Sequence, residues 1–153
     1  MKKLIIITGT PATGKSTLAK RFEKQGFFRL DIHPHYKEIS TGYDHSKRCY
    51  IIDPKKFEAL VKKTTNKHKK VVIDSHISHL LSPKIVDLCI VTTCPNLKIL
   101  KRRLEQRGYH KAKVAENLEC EIFQVCLHEA QERGHKIKNV ENPKTDSIAQ
   151  FQT

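Results

Sequence analysis

The sequence predicts an α/β fold built on a parallel sheet, and three observations support that prediction. Short apolar runs rich in β-branched residues recur at 5–7, 71–73 and 88–91, as expected for strands that are buried on both faces. Segments with helical spacing of apolar residues separate these runs. A loop containing two glycines links the first run directly to a helical segment, which is the arrangement of a strand–loop–helix phosphate site.

That loop is the most specific feature of the chain. Residues 9–16 fit the pattern Gly, four residues, Gly, Lys, then Ser or Thr, which is typical of a phosphate-binding loop. Gly9 and Gly14 allow a tight turn whose N–H groups approach a phosphate, and the positive end of the following helix dipole points at the same anion. Lys15 can reach the β and γ phosphates of ATP, and the Ser16 hydroxyl can bind Mg²⁺. The loop therefore predicts a P-loop NTPase fold.

The other elements complete a single domain with five strands. A chain of 153 residues suits one domain with one core. We expect a helix at 15–25 that ends at Gly26, a strand at 27–30, a helix that opens at Asp53-Pro54, a helix that begins at Pro95, one long amphipathic helix at 112–133, and a fifth strand at 136–140.

The charge balance is strongly basic. Lys and Arg total 29 against 16 acidic residues, a formal net charge of +13. Such an excess favours sustained attraction to a polyanion such as RNA, although it is also compatible with simple solubility. The basic tract 62–70 has the same two interpretations: a solvated helix end, or a contact for RNA or protein.

Location and assembly are predicted from what the sequence contains. The apolar stretch after the first lysines is short and runs into the phosphate loop, so we expect no cleaved signal peptide and no membrane segment. Five cysteines without a Cys-x-x-Cys pair indicate free thiols in a reducing compartment. We therefore expect the protein to lie in the cytoplasm, or in the nucleus of a eukaryote. We also expect it to be monomeric.

An acidic residue and a histidine follow the strand at 71–73. Asp74 ends an apolar strand about 60 residues after the phosphate loop, the pattern by which NTPases hold Mg²⁺ through a water molecule. Asp74 could instead cap a loop. His76 lies just beyond, at the strand end where ligands of open α/β sheets bind, and it could orient a water or a phosphate or be structural.

Two arginines on the helix after Pro95 are candidates for binding the transferred phosphoryl group. Arg103 and Arg107 are four residues apart, so both can leave the same helix face, within a basic run that has Gly108-Tyr109 as a hinge. Arginine binds phosphoryl oxygens in a bidentate manner and neutralises charge that develops in the transition state. A solvated basic face is the alternative.

Several stretches together resemble the adenylate kinase isoenzyme 6 family, small P-loop kinases connected with maturation of the small ribosomal subunit. The resemblance extends from residue 3 to about residue 146, and it rests on Gly-Thr-Pro-Ala-Thr-Gly-Lys-Ser-Thr at 9–17, Gly42-Tyr43-Asp44, Ile52-Asp53, Asp74-Ser75-His76, Arg-Leu-Glu-Gln-Arg-Gly-Tyr at 103–109, Glu116-Asn117 and Glu-Cys-Glu-Ile-Phe-Gln-Val at 119–125.

This resemblance implies a five-stranded parallel P-loop core, a monophosphate-binding segment near 31–54 and a short lid near 106–116. It implies kinase and ATPase activities with Mg²⁺, and a ribosomal protein of the small subunit, on pre-ribosomal RNA, as partner. Carried over by position, the ATP phosphates would be contacted by Ala12, Gly14, Lys15, Ser16 and Thr17, and from the lid by Arg107. Asp74 and His76 would match the magnesium acid and an ATPase-linked histidine.

The chain departs from the family pattern at three places, the last of which is the C-terminal helix of longer relatives, mostly absent around the adenine pocket that the resemblance implies near Asn142 to Lys144. Ala12 stands where the family commonly has glycine, and the segment 31–54 offers only Tyr36 and Lys37 where relatives have an arginine. The second departure weakens the case for tight binding of the AMP phosphate.

Three functions remain open at this point. The first is phosphoryl transfer from ATP to a nucleoside monophosphate, AMP above all. The second is an ATP-driven assembly factor whose kinase activity is incidental, which the charge and the missing arginine favour. The third is a kinase of a hydroxyl group on a small molecule or nucleic acid, for which Asp31 is the candidate base.

Overall fold

Strand β1 (Lys3–Gly9) lies at the centre of the fold in a computed structural model that describes residues 2–151. Its isoleucines at 5–7 are completely buried. The helices and strands that follow are α1 (Lys15–Lys24), β2 (Phe28–Arg29), β3 (Ser40–Asp44), β4 (Cys49–Ile52), α2 (Pro54–Lys67), β5 (Lys70–Asp74), β6 (Leu88–Thr92), α3 (Leu97–Gln106), α4 (Lys111–Ile122), α5 (Val125–Glu132) and β7 (Ile137–Val140).

The main sheet has five strands in the order β2-β5-β1-β6-β7, and every pairing in it is parallel. In register, Ile7 lies opposite Asp74 on one side and Ile90 on the other, and Gly9 lies opposite Thr92. All five strands therefore end at one edge, where parallel sheets bind their ligands. The predicted α/β P-loop NTPase fold with a five-stranded parallel sheet is confirmed.

Helices cover both faces of the sheet. Because side chains alternate along a strand, Leu4 and Ile6 join the core with Phe57 of α2, whereas Ile5 and Ile7 pack with Phe22 of α1. A third apolar cluster joins α3 and α4 to the phosphate loop. Across residues 2–151, every helix is too short or too polar to traverse a lipid bilayer.

The segment between β2 and α2 folds as a short 3₁₀ turn at His33–His35 followed by the antiparallel hairpin β3–β4. Ile39 is buried against the core and its carbonyl accepts a hydrogen bond from the N–H of Asp53, so the base of the segment is fixed. Tyr43 and Tyr50 are exposed on the hairpin with ring centroids 5.0 Å apart.

The prediction of one long helix at 112–133 is wrong. The chain forms two helices, because Gln124 adopts the left-handed conformation with φ 50° and interrupts the hydrogen-bond ladder. The cause is a tertiary contact: the buried Glu121 carboxylate accepts a hydrogen bond of 3.1 Å from the N–H of Cys94, and the Gln124 amide donates to the same carboxylate. This contact turns the chain before α5 begins.

Two predicted boundaries also shift. The helix expected to begin at Pro95 is capped by Asn96, whose side chain accepts hydrogen bonds from the N–H groups of residues 98 and 99. The strand expected at 27–30 is only two residues long. Asp53 caps α2 as expected, accepting from the N–H of Lys55.

Candidate functional site

A cleft of about 1080 Å³ opens where the strands end. Its wall brings together the predicted site residues from the phosphate loop, from the end of β5 and from α3: Gly9, Ala12, Gly14, Lys15, Ser16, Thr17, Asp74, His76, Arg103 and Arg107. His33 and Tyr36 from the segment 31–54 also line the cleft, whereas Lys37 does not. Such a volume suits a nucleotide with a second small ligand.

The glycines of the loop are required by their surroundings. A Cβ on Gly9, which has φ 151°, would lie 2.5 Å from Thr92 Oγ1 and 2.6 Å from the Thr92 carbonyl oxygen. Thr13 Oγ1 and Thr92 Oγ1 share a hydrogen bond of 2.7 Å that ties the loop to the end of β6. Gly14 is the N-cap of α1 and provides no side-chain cap, so the first N–H groups of that helix are available to an anion.

Ala12 occupies a position with φ 70°, in the left-handed region that favours glycine. A non-glycine residue there costs roughly 1–2 kcal/mol. Its methyl group is buried in the cluster with Leu100 and Leu104, which offsets part of that cost.

The ammonium of Lys15 contacts its own loop. Nζ donates hydrogen bonds to the carbonyl oxygens of Gly9 at 2.8 Å and Thr10 at 3.1 Å. Burial lowers the pKa of Lys15 to about 8, partly opposed by nearby acidic groups and reinforced by the positive charge of Arg107. The site is thus strongly positive and incompletely solvated, a setting in which an anion is stabilised.

Arg103 and Arg107 extend from α3 and its C-terminal end toward the phosphate loop. Arg103 Nη1 donates a hydrogen bond of 3.2 Å to the carbonyl oxygen of Ala12, on the loop itself. Arg107 is close enough to Lys15 to lower its pKa. Gly108 follows with φ 81° and ends the helix, so the segment beyond it changes direction.

Three kinds of comparison place the chain among known proteins. A family model for an AAA domain matches residues 5–124. The adenylate kinase isoenzyme 6 homolog of Dictyostelium discoideum is 38% identical over 151 residues, covering 94% of this chain and 83% of the relative. The homolog of the same name from Caenorhabditis elegans is 34% identical over 132 residues, covering 84% and 72%.

The chain belongs to the adenylate kinase isoenzyme 6 family. It is therefore a P-loop phosphotransferase. Two solved structures share its fold at low identity: the YorR protein of Bacillus subtilis in complex with phosphorylated GDP, with TM-score 0.60 and 15% identity over 91% of this chain and 85% of that chain, and TT1252 of Thermus thermophilus, with TM-score 0.58 and 16% identity over 96% and 91%.

Sequence reasoning missed Arg29 in this member of the adenylate kinase isoenzyme 6 family. Arg29 Nε and Nη2 each donate a hydrogen bond of 2.7 Å to the Asp74 carboxylate, and Nη2 lies 3.4 Å from Ser16 Oγ. Asp74 and Ser16, the two predicted magnesium residues, therefore both contact the guanidinium group of Arg29. The local sequence does not predict this contact, because the contact depends on how the strands pair: Arg29 lies opposite Val72, two residues before Asp74.

The segment after β7 contains Asn142 to Lys144, near which the family resemblance implies the adenine pocket. Residues 141–145 line the cleft, and Pro143 packs against the loop so closely that a Cβ on Gly14 would lie 2.5 Å from Pro143 Cγ. Arg21 Nη1 on α1 holds the segment by donating a hydrogen bond of 2.7 Å to the Pro143 carbonyl oxygen.

The two histidines after β5 differ in their surroundings. The ring of His76 lines the cleft and makes no hydrogen bond with the described residues; burial and then the Lys15 charge lower its pKa, so it is neutral at pH 7. His79 also lines the cleft but is buried, and it shares hydrogen bonds of 3.1 Å between Nδ1 and Thr8 Oγ1 and of 2.6 Å between Nε2 and Glu129 Oε2. His79 connects β1 to α5, which is a structural task.

Proposed function

We propose that this chain is an adenylate kinase that transfers the γ-phosphoryl group of Mg·ATP to AMP, that it hydrolyses ATP when the acceptor is lacking, and that it acts in late maturation of the small ribosomal subunit. The observation that supports the transfer is the convergence of Lys15, Arg103 and Arg107 on one cleft. The relatives named adenylate kinase isoenzyme 6 homolog support AMP as the acceptor.

Phosphoryl transfer here needs positioning rather than a base. An oxygen of the AMP phosphate attacks the γ phosphorus, and the bond from that phosphorus to the β–γ bridging oxygen breaks with its electrons remaining on ADP. The attacking oxygen is already ionised, so no proton must be removed. Lys15 and the two arginines hold the phosphates of both substrates together and neutralise the charge that spreads over the moving group, which typically accounts for about 10³-fold in rate or more.

The residues present fit a magnesium ion. A hydroxyl and a carboxylate are oxygen donors of the kind Mg²⁺ prefers, and Arg29 already bridges Ser16 and Asp74 as a cation. Ser16 would bind the ion directly and Asp74 through water. When bound, Mg²⁺ neutralises charge on the β and γ phosphates.

The acceptor would lie against the segment 31–54, beside His33 and Tyr36. Since Tyr36 offers one hydroxyl and Lys37 lies outside the cleft, the AMP phosphate depends largely on the arginines of α3. Weak acceptor binding of this kind, together with the net charge of +13, favours a second candidate in which ATP turnover serves the release or docking of a ribosomal protein.

A hydroxyl kinase is less well supported. Its candidate base, Asp31, is exposed and hydrogen-bonded to His33, which lowers the pKa of the carboxyl. A carboxylate with a lowered pKa is a poor acceptor for a hydroxyl proton.

Coupled detection of ADP tests the proposal. Lys15→Ala should abolish ADP formation, and Arg103→Gln or Arg107→Gln should lower kcat by about 10²- to 10³-fold. Arg102→Gln is the matched control on the same helix, and it should retain activity because Arg102 does not line the cleft. Full activity in Lys15→Ala would contradict the proposal.

Adding substrates in turn separates the two candidates. ADP formation that rises many-fold on adding AMP supports the kinase as the biological activity. ADP formation that does not change on adding AMP, but rises on adding a ribosomal protein of the small subunit, supports the assembly factor.

A further inference from the structure

The edge of the sheet opposite the cleft is densely basic. The strands begin there, and the exposed or half-exposed lysines that gather at their amino ends are Lys2, Lys3, Lys67, Lys69, Lys70 and Lys136. Lys3 is close enough to Lys70 and Lys136 for their charges to lower its pKa, after the larger effect of burial, while Asp87 opposes this. We call these six lysines, with the adjoining Phe28 and His68, the amino-edge surface.

An aromatic pair lies beside these lysines. Phe28, on edge strand β2, stacks on His68 with ring centroids 3.8 Å apart and an angle of 3° between the rings. Phe28 nevertheless leaves 41% of its surface exposed. A recess of about 400 Å³ next to the pair is lined by Phe28, His68, Gly26 and the lysines at 67, 69 and 70.

We infer that the amino-edge surface is a binding site for a single-stranded nucleic acid, with its phosphates on the lysines and a base stacked on the exposed face of Phe28. The occupant follows from the chemistry of the surface. Lysines alone would attract any polyanion, but a flat exposed ring among them matches a chain that alternates phosphates with aromatic bases. The base must be unpaired to reach the ring, which favours a single strand over a duplex.

The size of the surface agrees with this occupant. Lys136 precedes β7 and Phe28 lies on β2, the two outermost strands. At a strand spacing of about 4.8 Å, the surface is about 19 Å across, enough for a few nucleotides. None of its residues lines the cleft, so the strand and the nucleotide can bind together.

The inference deepens the proposed role on pre-ribosomal RNA and is measured separately from it. Fluorescence anisotropy would follow a labelled 12-nucleotide uridylate RNA binding to the full chain, with ADP present in excess to occupy the cleft. Lys67→Gln/Lys69→Gln/Lys70→Gln should weaken binding at least 10-fold at 100 mM salt and reduce the slope of log K against log salt by about 2, as expected for three lost phosphate contacts. ADP formation should be unchanged.

A second variant isolates the stacking. Phe28→Ala should weaken binding by about 5- to 100-fold and leave the salt slope unchanged, because one base loses its ring contact and no charge is removed. Phe28→Leu preserves apolar packing at the edge strand and should show the same loss, which distinguishes stacking from misfolding.

The matched control removes the same charge elsewhere. The triple variant Lys55→Gln/Lys98→Gln/Lys101→Gln changes three exposed lysines that lie outside the amino-edge surface. It should alter the affinity for the RNA less than twofold. Equal weakening by both triple variants, or full affinity in Phe28→Leu, would overturn the inference. The inference would also be overturned if poly-glutamate bound as tightly as the RNA and lost affinity to the same extent in the lysine and Phe28 variants. That outcome would identify an acidic protein as the partner.

Discussion

The surroundings of Lys15 favour the binding of an anion beside its side chain. Its ammonium is held by two carbonyl oxygens of the loop, and burial lowers its pKa to about 8. To reach a β or γ phosphate it must exchange neutral acceptors for charged ones, and a phosphate favours the protonated form. Nucleotide binding should therefore raise the pKa of Lys15 and be accompanied by uptake of a proton.

The affinity for ATP should consequently fall as the pH rises through 8. Below pH 8 the lysine is already protonated and the affinity is flat; between the pKa values of the free and bound forms, each pH unit should cost up to about tenfold in affinity. Titration calorimetry from pH 7 to 10 measures this. Lys15→Arg stays charged throughout, so its affinity should be independent of pH over that range, and a flat profile for the unchanged protein would refute the assignment.

Arg29 changes the charge that the predicted magnesium residues present. Its guanidinium and the Asp74 carboxylate form a close pair whose side chains are 25% and 9% exposed. The hydrogen bond to Asp74 raises the pKa of Arg29, so the positive charge persists at every pH of interest. The pair is formally neutral, which weakens the attraction of Asp74 for a divalent cation.

Arg29→Gln should lower the Mg²⁺ concentration that half-saturates ATP binding by about 3- to 10-fold, because the carboxylate regains its full charge at the metal position. Fluorescence of a labelled ATP analogue, titrated with Mg²⁺, provides a measurement that does not depend on turnover. Arg29→Lys preserves the charge and should remain within twofold of the unchanged protein. Adding Asp74→Asn to Arg29→Gln should cancel the gain.

At the scale of an element, the segment 141–145 packs against the start of α1 at Gly14. Gly14 has φ 97° and faces Pro143, whereas Gly26, at the other end of the same helix, has φ 93° and faces open space. The two glycines therefore share their backbone conformation and differ in what surrounds them.

Gly26→Ala should destabilise the protein by roughly 1 kcal/mol, the cost of a side chain at positive φ. Gly14→Ala should cost a further 1–3 kcal/mol, because its Cβ would collide with the Pro143 ring and displace the segment that lines the cleft. Urea unfolding measures both. Only Gly14→Ala should also weaken ATP binding, and equal costs for the two variants would contradict the fit.

The elements that the sequence predicts well are those defined by local pattern. The strand at 71–73 could be predicted because a strand covered on both faces needs apolar residues at every position. The division of α4 from α5 could not be predicted: residues 112–133 have unbroken helical periodicity, and the turn at Gln124 comes from the contact between Glu121 and a distant backbone N–H. The role of Arg29 could not be predicted for the same reason, since it depends on which strand lies beside β2.

For the molecule as a whole, nucleotide binding and folding should be linked. The phosphate loop, α3 and residues 141–145 meet only in the folded chain, so ATP binds the native state alone. At a hundred times its Kd, ATP should add about 2.7 kcal/mol of stability and raise Tm by about 5–10 °C. Differential scanning fluorimetry tests this, with Lys15→Met expected to remove most of the shift and Arg102→Gln to retain it. An unchanged Tm at saturating ATP would contradict the site.

The packing of Pro143 on Gly14 also bears on synthesis at the ribosome. The glycine loop leaves the exit tunnel long before Pro143, which forms part of the wall of its pocket, has been translated. A nascent chain that does not yet contain Pro143 therefore displays the loop without that part of the pocket. We expect such a chain to hold ATP less tightly than the folded protein.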